Sequence, residues 1–146
     1  MPRVSARGII IRDDELLLIE RWRDGLHYFS VPGGGIEAGE TPEQTVVREL
    51  AEETGCVVRP VRKLYFLTLA DGNQSHIFLC NYVSGEAHLP PDAPEAQARP
   101  DNKFLPRWVP LSDLARAPFL VWEPVRKQLV HDMEHGFSES VRQLAC

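Results

Sequence analysis

Three glutamates carry the first chemical signal in this chain. Glu49, Glu52 and Glu53 stand at i, i+3 and i+4, and on a helix turning roughly 100° per residue they share about a third of the circumference. Like charges at this spacing weaken a helix by roughly 0.2–0.5 kcal/mol per pair, and an isolated acidic triplet is ordinarily a solvated face. Carboxylates gathered on one edge, however, suit a hard divalent cation such as Mg²⁺ or Mn²⁺. The neighbouring residues favour the cation. Gly33-Gly34-Gly35 lets the backbone approach a ligand and offers carbonyl oxygens with no Cβ in the way. Arg48, beside the acidic edge, can hold a carboxylate in its planar fork, and Glu40 is a partner reaching across the loop.

These groups need a rigid helix. Thr41-Pro42-Glu43-Gln44 supplies a threonine N-cap, a proline at the first helical position and a glutamine three residues after the cap, which together form a capping box. The pattern predicts a helix running to about Thr54 and stopped by Gly55. Val47, Leu50 and Ala51 are expected on its inward face, with Glu52 and Glu53 facing outward. Ahead of it, Val4 to Ile11 and Leu16 to Glu20 read as a β-hairpin around Arg12-Asp13-Asp14-Glu15, and Tyr28 to Val31 as a strand halted by Pro32 and the glycines. Behind it, Cys56 to Ala70 and Ser75 to Val83 read as strands around Asp71-Gly72-Asn73-Gln74. Leu89 to Pro106, proline-rich and acidic, reads as a long functional loop. Arg107 to Val109 is expected as a short strand, Glu123 to His135 as a second amphipathic helix, and the last ten residues as a loose tail.

A chain of 146 residues with 43% hydrophobic and 25% charged composition is expected to form one domain, residues 1–146, of mixed α/β class. The net charge of −5 argues against broad binding to nucleic acid or anionic membrane. Cys56, Cys80 and Cys146 lack a CxxC pair and suit free thiols, and no apolar run is long enough to cross a bilayer. A cytoplasmic location is the corresponding expectation.

The segment Gly34, five residues, Glu40, seven residues, then Arg48-Glu49-Leu50-Ala51-Glu52-Glu53-Thr54-Gly55-Cys56 resembles the Nudix box. Every charged and glycine position of that pattern is present. The closing aliphatic position holds Cys56, a small hydrophobe that can fill the same packing role. The resemblance implies an α/β/α sandwich around a mixed β-sheet. It also implies Mg²⁺-dependent hydrolysis, with Mn²⁺ as a substitute, of the diphosphate linkage in a nucleoside diphosphate joined to another moiety. Glu52 and Glu53 would ligate metal together with the Gly33 carbonyl. Glu49 would ligate metal, act as base toward water, or do both, and Arg48 and Glu40 would orient the set. Some members add an acid from a loop outside the box, for which Glu95 and Asp101 are the candidates. Many small members are homodimers. A Nudix-fold regulator that binds nucleotide without turnover typically lacks a box carboxylate, whereas all are present here. The cysteine and glutamate context of a Nudix-fold isomerase has no match around Cys80 or Cys146.

Substrate contacts are less legible. Arg21 and Arg23 could meet phosphates, and Trp22, Tyr28 and Phe29 could stack on a base, although a strand-end arginine is more often surface and an aromatic beside a strand more often core. His131 and His135 lie at i, i+4 without further ligands and read as surface. Neither the proline that marks many ADP-ribose hydrolases of the family nor the tyrosine of the dinucleoside polyphosphate group follows the box. A nucleoside triphosphate, a sugar nucleotide and a damaged nucleotide all stay open as substrates.

Overall fold

The first two hairpins are built by two-residue turns in the left-handed region. Asp13 and Asp14 have φ of 51° and 62°, and Asp24 and Gly25 have 51° and 79°, the geometry that matches the twist of paired strands. They connect β1 (Val4–Arg12), β2 (Glu15–Arg23) and β3 (Leu26–Ser30). The computed structural model describes residues 2–88, 102–117 and 122–146. Among these, the chain continues through β4 (Gly33–Gly35), α1 (Pro42–Thr54), β5 (Val57–Thr68), β6 (Gln74–Ser84), β7 (Asn102–Pro110), a 3-10 helix at Leu111–Arg116, α2 (Glu123–His135) and β8 (Arg142–Ala145).

β1 pairs with β2 only beside their turn, through Ile11 with Leu16 and Arg12 with Glu15. Away from that point the two strands part. β1 is flanked by β4 and, in parallel, by β6, which leads on to β5 and β8. β2 lies between antiparallel β3 and β7. The sheet therefore splays, and a cleft opens where it divides. Side chains alternate across β1. Ala6 and Ile10 pack with Leu17, Phe78 and Cys80 against Val46 and Leu50 of α1. Ile9 packs with Leu64, Tyr65, Leu67 and Ile77 against Val125 and Leu129 of α2. One helix thus covers each face of a mixed sheet, the layered α/β arrangement expected.

α1 forms as its sequence predicts. Thr41 Oγ1 accepts the Gln44 N–H at 3.2 Å, Gln44 Oε1 accepts the Thr41 N–H at 2.9 Å, and Gly55 ends the helix at φ 75°. Its rotation differs from expectation. The buried positions are Thr45, Val46, Leu50, Glu53 and Thr54, while Val47 is exposed and Ala51 also faces solvent. Val46 and Leu50, at i and i+4, are the pair that meets the sheet, and this turns Glu53 inward with them.

Three strand assignments also change. The triple glycine, expected as a stop, is the strand β4, paired with Ser5, Ala6 and Arg7. β7 begins at Asn102 and pairs along the whole of β2, so the segment from 102 to 106, expected within the long loop, is strand. Pro106 obscured it, yet β7 is an edge strand, where a missing N–H is tolerated. The final residues, expected as a tail, include β8, which runs parallel to Tyr65–Thr68 of β5 and satisfies backbone groups of an otherwise open edge.

Candidate active site

The site begins with a close approach between β4 and α1. Gly33 has φ 150°, and a Cβ there would stand 2.3 Å from the Ala6 carbonyl oxygen. At Gly34 a Cβ would stand 2.5 Å from Glu49 Oε1. The missing side chains leave room for two carboxylates of α1 to reach the strand. Glu53 Oε2 accepts the Gly33 N–H at 3.0 Å, and Glu49 lies directly against Gly34.

Arg48 ties this end of α1 to the preceding loop. Its Nε and Nη2 donate to the two Glu40 oxygens at 2.7 and 3.0 Å, a two-point fork. Nη1 donates to Glu49 at 3.0 Å and to Glu52 at 3.3 Å, and Nη2 reaches the Gly35 carbonyl at 3.2 Å. Glu40 also accepts the Glu37 N–H at 3.0 Å and the Thr45 hydroxyl at 2.8 Å. The Arg48 hydrogen bond, helped by the Glu37 N–H, holds the Glu40 carboxyl down to about 2. Glu40 in turn raises the pKa of Arg48 further above its ordinary value. The pair stays charged and holds the loop to the helix.

The three box carboxylates do not share one spot. Glu53 is 9% exposed, Glu49 is 15% exposed in its side chain, and Glu52 is 52% exposed in its side chain. Successive positions at roughly 100° explain the gradient, since the triplet runs from the buried face of the helix out into solvent. Among the described residues no three His, Cys, Asp or Glu side chains are grouped to hold a metal ion. Like charges separate when a counter-charge is available, and Glu49 and Glu52 both turn to Arg48. Glu95 and Asp101 lie outside the described residues.

Glu49 and Glu53 open onto a cleft of about 380 Å³. Gly33 and Gly34 line it beside them, with Arg3 ahead of β1 and Arg7, Arg21, Tyr28, Phe104 and Trp122 from β1, β2, β3, β7 and the approach to α2. Arg21 pairs in register with Tyr28 on one side and Phe104 on the other, and its guanidinium carbon stands 5.1 Å from the Phe104 ring centre. The three make a cross-strand row of aromatic, cation, aromatic. Of the other side chains weighed from sequence, Arg23 is exposed beside Asp24. Trp22 stacks on His27 with ring centres 4.8 Å apart, and Phe29 belongs to the core. His131 and His135 are exposed, and the three cysteines are free.

Sequence reasoning missed Arg3, Arg7, Phe104 and Trp122. Only Arg7 left a trace, as a charged residue on the inward phase of a strand whose next same-face residue is Ile9. Phe104 fell within the supposed loop, and Trp122 precedes a helix whose N-terminus has no side-chain cap to announce it.

A two-helix, mixed-sheet protein with box carboxylates at the mouth of a cleft defines a recognisable class. The sequence profile of the NUDIX domain matches residues 1–133, and the chain belongs to that family. An ADP-ribose pyrophosphatase from Methanocaldococcus jannaschii is 36% identical over 102 residues, 66% of this chain and 60% of that protein. The NAD-capped RNA hydrolase NudC of Photobacterium profundum is 41% identical over 90 residues, 58% of this chain and 33% of that protein. The chain thus spans less than two thirds of the length of these relatives. The crystal structure of an ADP-ribose pyrophosphatase from Streptococcus suis aligns over 100% of both chains with a TM-score of 0.67 at 22% identity, a likeness of fold.

Proposed function

We propose that this chain is a divalent-cation-dependent pyrophosphohydrolase that cuts the diphosphate linkage of a nucleoside diphosphate derivative. The observation that carries this is the meeting, in one cleft, of two box carboxylates with arginines and aromatic rings. The carboxylates suit a hard cation, the arginines suit phosphate oxygens, and the Tyr28–Arg21–Phe104 row offers flat faces to a base.

The donor set fits Mg²⁺ or Mn²⁺. Glu49, Glu53 and the Gly33 carbonyl offer hard oxygens at the cleft that would hold the cation, Glu52 would join them on leaving Arg48, and the missing Cβ at Gly34 leaves Glu49 its place. A bound divalent cation neutralises diphosphate oxygens and lowers the pKa of its water. The residues of the chain do the positioning, which is most of what phosphoryl-transfer chemistry needs. Glu53 is held by the Gly33 N–H, and Glu49 would ligate the metal, accept a proton from the attacking water, or do both. Arg48 and Glu40 keep the loop and helix in register. The M. jannaschii relative makes ADP-ribose the first substrate to try, although the subgroup proline is missing. Sugar nucleotides and nucleoside triphosphates follow.

The test is a product-release assay over such a panel with Mg²⁺ and with Mn²⁺, run beside Glu52→Gln and Glu53→Gln and with EDTA. Turnover of at least one diphosphate, abolished by EDTA and sharply reduced in both variants, is expected. Parent-rate turnover by both variants removes the ligand assignment, activity in saturating EDTA removes the metal, and binding without turnover removes the enzyme.

A further inference from the structure

Neither the carboxylates nor the aromatic row accounts for Arg7, a second arginine lining the cleft. Arg7 sits in β1 opposite Gly33. Its Nη1 donates to the Val31 carbonyl at 2.8 Å, while its Nε is buried with no hydrogen-bond partner among the described residues. A guanidinium carries five N–H donors and no acceptor, so one carbonyl leaves most of its capacity unspent. Burial is the largest influence on Arg7 and lowers its pKa from the ordinary value; the charges of Glu53 and Glu49 oppose this, and Arg3 adds to it. A desolvated cation short of acceptors, at the wall of an open cleft, is built to receive an anion.

The Trp122 ring explains how the guanidinium stays there. Its centre lies 4.4 Å from the Arg7 guanidinium carbon. Trp122 has φ 72°, a left-handed conformation that bulky residues avoid and that clusters at functional sites. The start of α2 holds it, since the Trp122 carbonyl accepts the N–H groups of Val125 at 2.9 Å and Arg126 at 3.4 Å. The indole face and the Val31 carbonyl together restrict the guanidinium to one place beside Glu49 and Glu53.

We infer that Arg7 is a substrate-binding residue that grips a non-bridging phosphate oxygen, and that Trp122 is the positioning residue that presents it. This rests on the diphosphate reading of the cleft. A phosphate oxygen supplies the acceptor that the buried fork lacks, within reach of the acids that would hold the cation. Trp122 needs no contact with substrate for this role.

Calorimetric binding of ADP with Mg²⁺, beside adenosine as a phosphate-free control, tests both parts. Arg7→Met is expected to weaken ADP binding roughly 10- to 100-fold, the size of a lost charge-assisted hydrogen bond, and to leave adenosine binding unchanged. Arg7→Lys keeps the charge but not the fork and is expected to fall between. Trp122→Leu should weaken ADP by roughly 5-fold through the lost cation–π contact, with Trp122→Phe recovering most of it. If Arg7→Met does not fold, Arg7→Lys decides, and parent-strength ADP binding by the deciding variant overturns the inference. An equal loss for ADP and adenosine overturns it too, by showing a merely structural role, and an unchanged Trp122→Leu removes the positioning part. A wild-type chain that binds adenosine but no diphosphate removes the reading underneath, a result distinct from any failure of Arg7.

Discussion

α1 and α2 cover opposite faces of one sheet, and each turns an acidic side chain almost out of solvent, yet the two acids meet different fates. Asp132 on α2 is 3% exposed and is enclosed by donors: Tyr65 Oη at 2.6 Å, Gln128 Nε2 at 3.0 Å and His131 Nδ1 at 3.3 Å. Burial pushes its carboxyl up, but these hydrogen bonds outweigh it and leave the pKa below the ordinary value. Burial and the Asp132 charge together drive the Tyr65 hydroxyl well above its usual range. That set is closed, and it fixes α2 to β5. Glu53 on α1 takes the Gly33 N–H and stands with Glu49 on an open cleft. Burial alone therefore does not mark an acid as functional. A second acid beside it, and a space that a ligand can enter, make Glu53 the candidate.

The contrast can be broken most directly by activity. Glu53→Gln should lower kcat on the order of a hundredfold or more, the effect of removing one charge-stabilising contact. Asp132→Asn should leave kcat of the folded enzyme near wild type while lowering its melting temperature. Next come the glycines under α1. Gly33→Ala meets the Ala6 backbone at 2.3 Å with an unfavourable φ, and a loss of about 2 kcal/mol or more in urea unfolding is expected. Gly34→Ala meets the movable end of Glu49 at 2.5 Å, so it should reduce activity more than stability. Equal stability losses at the two positions would show that both glycines serve only the backbone.

On the α2 side, Tyr65→Phe deprives Asp132 of its shortest hydrogen bond and should cost about 1–3 kcal/mol, read by denaturant unfolding with activity unchanged. Thr41→Ala opens the capping box and should cost about 1 kcal/mol. The smallest effect concerns pH. The Glu40 carboxyl is depressed from 4.5 to about 2, so its contribution to stability is present above the ordinary value and fades as pH falls toward the depressed one. Glu40→Gln should be less stable than wild type near neutrality and show a shallower decline on acidification. Parallel unfolding curves at every pH would mean that the Arg48–Glu40 pair contributes no proton-linked stability.

What was legible in advance divides along the range of the interactions involved. Thr41, Pro42, Gln44 and Gly55 announce α1 because capping acts over three or four residues, and the Asp71 to Gln74 turn is equally local. The Asp24-Gly25 turn went unread although Asp-Gly is a strong hairpin signal, because Arg21, Trp22 and Arg23 obscured the apolar alternation of β2 beyond Glu20. Pro106 hid β7, and β8 is too short and polar to show a period of its own. Its strand conformation depends on β5 lying alongside.

The sequence by itself determined the box, the helix that carries it and the clamp partners Arg48 and Glu40, because fixed spacing and short-range hydrogen bonds set these within one segment. Tertiary structure decided how the three box acids divide between interior and solvent, since the sheet chooses which face of α1 it buries. It also decided that Arg7, Arg21, Phe104 and Trp122 wall one cleft. These residues lie far apart along the chain, and only the splaying of β1 from β2 brings their side chains around a common space.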